Sequence, residues 1–330
     1  MTNWQQRLDN HPLLDAASIG SDQNCLAILS EYRLLTVSGP DSVTFLQGQC
    51  TCDISQLNSG HWLLGAHCNI KGRMHSSFYA ARIDENTIGL RLHSSIAENA
   101  LNALKKYSVF SKVELTLAPA WIMGLNHPDQ STLPNTTIKL PPVNETSHPE
   151  NGLTVLRLDK NRSEIWASQA AALDHLWPHI TQGLNLTSQA VWSRLNIEQG
   201  IAEVRAETVE ALLPQELNFQ LINGVSFSKG CYTGQEIIAR LHYKATLKKH
   251  LYRATTALLD NESSPIYGTE IVDKDTGKRL GSVIQSLSGN NNQWLLLVLV
   301  NDLAVHTDSA VLALGSQPKL TWQPLPYAIP

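Results

Sequence analysis

Lys229-Gly230-Cys231-Tyr232-Thr233-Gly234-Gln235-Glu236 sets one cysteine between a cation and a glycine, just ahead of a helix start. Thr233 and Glu236 stand at capping-box spacing, and the apolar-rich run Ile237, Ile238, Ala239, Leu241 follows. This predicts Thr233 as the N-cap, with Cys231 two residues before it. There, free backbone N–H groups and the positive end of the helix dipole favour an anion. Lys229 adds a positive charge two residues away. Such surroundings lower a thiol's pKa and favour the thiolate, the form that acts as nucleophile or metal ligand. The octapeptide also accommodates a small buried side chain in a tight turn, because free cysteine is among the most buried residue types.

Outward from this stretch the pattern is mixed. Leu26 to Val37 reads as strand, turn at Ser30-Glu31, and strand; Asp41 or Ser42 caps a short helix over Val43–Gln47. His61–Cys68 and Met74–Ile83 read as strands around the turn Asn69-Ile70-Lys71-Gly72, and Ile88–Leu92 as another. From Ser95, Ile96, Ala100, Ala103, Leu104 and Tyr107 recur at helical spacing, and Val113–Leu117 and Trp121–Leu125 return to strand. Asn126–Asn151 is rich in proline, threonine and asparagine and reads as a long surface loop. Paired strands at Leu153–Leu158 and Glu164–Ala167 precede helices over Ser168–Leu176 and Ser188–Glu198. From about His250 to Trp322, short β-rich runs are separated by Gly, Asn and Asp, which suggests a small closing β-barrel. The fold class is therefore α+β with an all-β appendage.

With 330 residues, 42% hydrophobic and 16% charged, the chain is an ordinary globular one with room for two or three cores. A net charge of −4 argues against a surface built mainly for nucleic acid, and the basic cluster Lys244, Lys248, Lys249, His250, Arg253 reads as a solvated face. Five cysteines without a Cys-x-x-Cys pair exclude a disulfide framework or zinc ribbon, and Cys50-Thr51-Cys52 reads as core, so no metal site is expected. Met1–Arg7 carries no apolar signal region, and the longest apolar run, Trp294–Val300, is too short to span a bilayer. The expectation is a cytoplasmic protein away from any membrane.

The octapeptide resembles the signature of the YgfZ family of folate-binding, tRNA-modifying proteins, relatives of the glycine-cleavage aminomethyltransferase (T-protein). Phe45-Leu46-Gln47-Gly48-Gln49, the segment Leu104–Val113, Asn196-Ile197-Glu198-Gln199-Gly200, Pro214–Asn218 and Gln323–Tyr327 resemble further family motifs in the same order. The resemblance implies a ring of three domains around a central folate pocket: two interleaved α+β domains over residues 1–245 and a C-terminal β-barrel over 246–330. It implies tetrahydrofolate as cofactor, with Tyr32, Trp192 and Glu198 as contacts and Cys231 and Lys229 at the reactive centre. A folate site needs flat apolar surface for its rings and a carboxylate for the pterin N–H donors. Trp192 taken alone is more often a core residue than a ligand contact. Glu198, six residues on, shares its face only if the turn at Gly200 swings it inward.

One departure decides between activities. T-proteins use an aspartate in the turn after the third strand, where this chain has Asn69, which is no carboxylate base. Lys71 and Arg73 stand close by for a folate glutamate tail, and His67 and His75 flank the turn. The implied function is an accessory factor, expected as a monomer, that supports iron–sulfur enzymes including tRNA-thiolating ones. The alternatives are a folate-dependent aminomethyltransferase or demethylase, and direct tRNA binding through Lys244–Arg253.

Overall fold

The computed structural model describes Leu13, Leu14 and residues 23–330 except Asp129 and Asn151; the expectation at Met1–Arg7 lies outside them. Three sheets organise the chain. The first has the order β3-β4-β5-β2-β6, built from β2 (Tyr32–Ser38), β3 (Leu63–Cys68), β4 (Met74–Asp84), β5 (Thr87–His93) and β6 (Glu114–Ala118), all antiparallel. The second has the order β11-β1-β7-β10-β9-β8, from β1 (Cys25–Ile28), β7 (Trp121–Asn126), β8 (Thr146–Ser147), β9 (Leu153–Arg157), β10 (Arg162–Ala167) and β11 (Asn185–Thr187).

The turn at Ser30-Glu31 does not close a hairpin. β1 is buried on every residue and has both edges taken, by β7 and by a parallel pairing with β11, so β2 must cross to the other sheet. The chain thus opens in the second sheet, spends β2 to β6 in the first, and returns with β7. This crossing interleaves the two α+β layers.

Helices cover these sheets with their apolar faces. They are α1 (Ser42–Gln47), α2 (Ala97–Lys105), α3 (Ala170–Ile180), α4 (Gln189–Glu198) and α5 (Gln235–Tyr243). In α2, Ala97, Ala100, Leu101 and Leu104 are buried, Glu98 stands in the first turn and Lys105 in the last, which suits the helix dipole. α3 runs beyond the expected Leu176 and through Pro178, because Trp177 and Ile180 are buried with Leu173 and Leu176 against the second sheet. Tertiary packing here outweighs the proline's lost N–H.

The third sheet, order β16-β13-β14-β15-β12-β17, comprises β12 (Lys249–Ala257), β13 (Glu270–Asp273), β14 (Arg279–Ser288), β15 (Gln293–Asn301), β16 (Ala310–Leu312) and β17 (Thr321–Gln323). Register shifts at Ile271/Val272 and Val283/Gln285 add twist, and a Val311–Lys319 bridge brings the two edge strands together. The sheet curls into a half-barrel around Ala254, Ile271, Val283 and Leu296. The chain end then returns to α4: Tyr327 Oη donates to Gly200 O at 2.8 Å, and a Cβ on Gly200 (φ +66°) would lie 2.4 Å from Leu325.

Candidate functional site

Helix α5 begins at Gly234, not Thr233. Gly234 has φ +83°, and a Cβ there would stand 2.5 Å from Asn69 O, so only glycine fits against the β3–β4 turn. Thr233 instead ties the loop to α1, its N–H donating to Gly48 O at 3.2 Å. Cys231 therefore lies three residues ahead of the cap. It is exposed, whereas Cys25, Cys50, Cys52 and Cys68 are all buried. Burial raises the buried thiols, Cys52 to about 12 and Cys50 well above the ordinary value, so they stay protonated and inert.

Lys229 has a different occupation from the one its spacing suggested. Its ammonium donates all three protons, to Gln47 O and Cys50 O at 2.7 Å and Cys52 O at 2.8 Å, and lies 5.1 Å from the Tyr232 ring centroid. Burial pulls its pKa below the usual lysine value. The side chain staples the cysteine loop to the carbonyl end of α1 and leaves no N–H for the thiol. Below the staple, the buried Tyr232 hydroxyl finds no partner.

The second group lies between the first two sheets. Arg91 of β5 is fully buried, its guanidinium sandwiched between the Tyr32 and Tyr79 rings at 4.1 Å each. Its Nη2 reaches Glu164 Oε1 at 3.0 Å and its Nη1 reaches Glu203 Oε1 at 2.5 Å. Tyr32 Oη donates to Glu203 Oε2 at 2.5 Å, and Trp166 Nε1 to Glu164 Oε2 at 2.8 Å. Burial pushes the Glu164 carboxyl above its usual range, with Arg91 only partly opposing. At Glu203, Arg91 and the Tyr32 bond outweigh burial and hold the carboxyl below that range. Glu203 also lines a cavity of 200 Å³ with Arg205, Tyr267 and Ser286.

Tyr32 thus joins this layer, and a Glu31 N–H to Gln189 Oε1 bond of 3.2 Å links it to α4. Trp192 on α4 has no exposed surface. Its ring packs on Gly124, where a Cβ would approach within 2.4 Å, the Arg162 guanidinium lies 5.7 Å from its centroid, and its buried Nε1 has no partner. Glu198 lies on a different face of the helix. Six residues of helix place the two about 120° apart, and Glu198 pairs with Arg194 at 3.2 Å while its side chain stays 25% exposed. Its backbone carbonyl accepts from Arg253 at 2.7 Å. Among the described residues no cluster of three or more His, Cys, Asp or Glu side chains is placed to hold a metal.

No family model matches the chain. It is similar to proteins named tRNA-modifying protein YgfZ: 33% identical over 316 residues to one from Yersinia pseudotuberculosis, covering 92% of both chains. It is 30% identical over 313 residues to one from Escherichia coli, covering 92% of this chain and 93% of that one. The chain belongs to the YgfZ family. Among solved structures it resembles the glycine cleavage system aminomethyltransferase T from Bartonella henselae, with a TM-score of 0.70 at 14% identity over 93% of this chain and 87% of that one. The T-protein fold is therefore shared, and so is the α+β class.

In this YgfZ-family chain, Asn69 spends its side-chain oxygen within its own turn, accepting from the Lys71 N–H at 2.9 Å and the Arg73 N–H at 3.1 Å. Arg91, Glu164 and Glu203 were not among the site residues expected from the sequence. Each stands in an apolar strand or loop with no local motif, and only pairing across two sheets brings them together.

His67 is fully buried on β3 with neither ring nitrogen bonded, 5.1 Å from the His75 ring centroid. Burial, aided by His75, lowers its pKa to about 3. A depressed folded-state value means the unfolded chain takes up the proton first, so His67 supports stability above about pH 6.5 and that support is lost as pH falls toward 3. The loss is about 1.4 kcal/mol per pH unit below 6.5. His67→Phe is expected to flatten the decline in urea-unfolding free energy between pH 6.5 and 5; an unchanged slope would assign the acid sensitivity elsewhere.

Proposed function

We propose that this chain is a tetrahydrofolate-binding accessory factor that supports iron–sulfur enzymes, among them those that thiolate tRNA, with Cys231 as its reactive thiol. Its kinship supports a role in tRNA modification. The observation that carries the folate half is Glu203: an ionised carboxylate, fixed by Arg91 and Tyr32, that faces a 200 Å³ cavity beside the Tyr267 ring. A pterin edge presents N–H donors to such an acceptor and a flat ring to such an aromatic. In this reading Glu203 takes the pterin edge through the lone pairs left by its Arg91 and Tyr32 bonds, while Glu198, paired with Arg194, does not line the cavity. Bound folate would supply one-carbon chemistry; the chain's own residues orient the ring and present the thiol. Aminomethyl transfer is not favoured, since Asn69 is neutral and committed to its turn.

The test is a tetrahydrofolate titration followed by tryptophan fluorescence. Saturable quenching is expected, weakened about tenfold by Tyr267→Ala, which leaves the Arg91 pairs intact, and unchanged by Cys231→Ser. Absence of saturable binding, or equal binding by Tyr267→Ala, would reject this placement.

A further inference from the structure

The segment from Asn99 to Val113 contains no carboxylate, yet carries Lys105, Lys106 and Lys112 around Tyr107, Val109 and Phe110. All three lysines are exposed, and Phe110 is 99% exposed, Val109 76% and Tyr107 45%. This loop is held in shape. Tyr107 N–H donates to Leu104 O at 3.0 Å, Ser111 N–H to Ser108 O at 2.9 Å, and the Lys112 N–H to Asp41 Oδ2 at 2.7 Å. An ordered turn that displays an aromatic ring to water, with cations on both sides, gains nothing for folding from that ring.

The loop and the cysteine loop both approach the β3–β4 hairpin. The Tyr107 ring is 6.3 Å from that of His67, which leads into the β3–β4 turn where Ile70 is 76% exposed beside exposed Lys71. That same turn abuts Gly234. Asp41 and exposed Glu114 flank the loop's far end, and Glu210 lies 3.0 Å from His75 Nδ1. The basic cluster that offers the alternative of direct tRNA binding is less available: Arg253 is spent on Glu198 O, and His250 on Asp302 at 2.8 Å.

We propose that the 105–112 loop, with Ile70 and Lys71, is a landing surface for single-stranded RNA. Phe110 and Tyr107 stack bases, and Lys71, Lys105, Lys106 and Lys112 hold phosphates. Interleaved rings and cations are what a flexible strand needs, since every base offers a π-face and every nucleotide a phosphate. A duplex hides its base faces and fits less well. The inference rests on the family's link to tRNA, not on folate or on the thiol's chemistry.

The test uses the full chain without folate and measures fluorescence anisotropy of a labelled single-stranded RNA of about 12 nucleotides and a duplex of equal length, from about 50 to 200 mM salt. The single strand should bind more tightly, with a log–log salt slope of about −2 to −3 for three or four phosphates. Phe110→Ala should weaken binding about tenfold at unchanged slope, and Lys105→Gln with Lys106→Gln should lower the slope by about 1.4. Lys274→Gln with Lys278→Gln, far along the third sheet, should change nothing, and Cys231→Ser should bind as the parent does. Tighter duplex binding, an inert Phe110→Ala, or a polyglutamate peptide bound as well as RNA would overturn the proposal, the last by marking a protein-docking face. Because RNA binding here needs neither folate nor the sulfur, its failure would leave the proposed thiol chemistry standing.

Discussion

Arg91→Met is expected to lower the unfolding free energy by about 3–5 kcal/mol, read from urea midpoints at neutral pH. The magnitude comes from what stays behind. Glu164 is fully buried and the Glu203 side chain is 12% exposed, and both would keep their carboxyls after losing the guanidinium that lies between them. Glu164 cannot rehydrate without parting the first two sheets, because Tyr32 and Tyr79 close the guanidinium's faces, and Glu203 meets water only along its cavity edge. Protonation offers partial relief, most readily at Glu164, whose carboxyl burial already raises. Arg91→Met with Glu164→Gln should therefore recover part of the loss, while Glu203, held ionised for its cavity, should keep the rest. Neutral stability in Arg91→Met would mean water reaches this layer, and the rigid carboxylate in the folate reading would go with it. A buried ion network is a weak reason for stability in itself, since apolar substitutes often do as well. Its persistence here fits the fixing of one charged oxygen at a cavity wall.

What could be read beforehand follows from the range of the forces involved. Only two of the third sheet's five pairings, β13–β14 and β14–β15, join sequence neighbours, but its β character from about His250 to Trp322 was legible, because the strands are short apolar runs bounded by turn residues. The β3–β4 hairpin was legible for the same reason. The Ser30-Glu31 turn was not: two adjacent strands imply a hairpin unless one knows that β7 and β11 already occupy both edges of β1. The cap of α5 was misplaced because Thr233 satisfies the local rule, while the approach of Gly234 to Asn69 O is tertiary. At the site, Lys229 and Cys231 were found by motif, but the ammonium's destination, three carbonyls about 180 residues earlier, leaves no trace in the octapeptide. Glu203 was invisible because its meaning depends on Arg91, 112 residues before it. A signal did exist: a lone arginine amid the apolar β5 run Ile88–Leu92 asks for a buried partner.

Cys231→Ser is expected to abolish support of tRNA thiolation while leaving folding within about 0.5 kcal/mol of the parent. The two halves of this expectation have separate causes. Stability is spared because the thiol is exposed and serine fills the same space; the loop is held by Lys229, Thr233 and Gly234, none of which uses the sulfur. Function is lost because a hydroxyl is a far weaker nucleophile and a poor soft ligand, so no serine oxygen replaces a thiolate in either role. A thiol count separates the sulfur's accessibility from its chemistry. In native protein one of the five cysteines should react with a maleimide within minutes, and Cys231→Ser should remove that one. After unfolding, all five should react, since only burial protects Cys25, Cys50, Cys52 and Cys68. If the native count is one but Cys231→Ser sustains full thiolation, the exposed sulfur is a bystander and the activity must be sought at the Glu203 cavity. If the native count is zero, the loop closes over its own thiol in solution, and the opening step becomes the event a partner must drive.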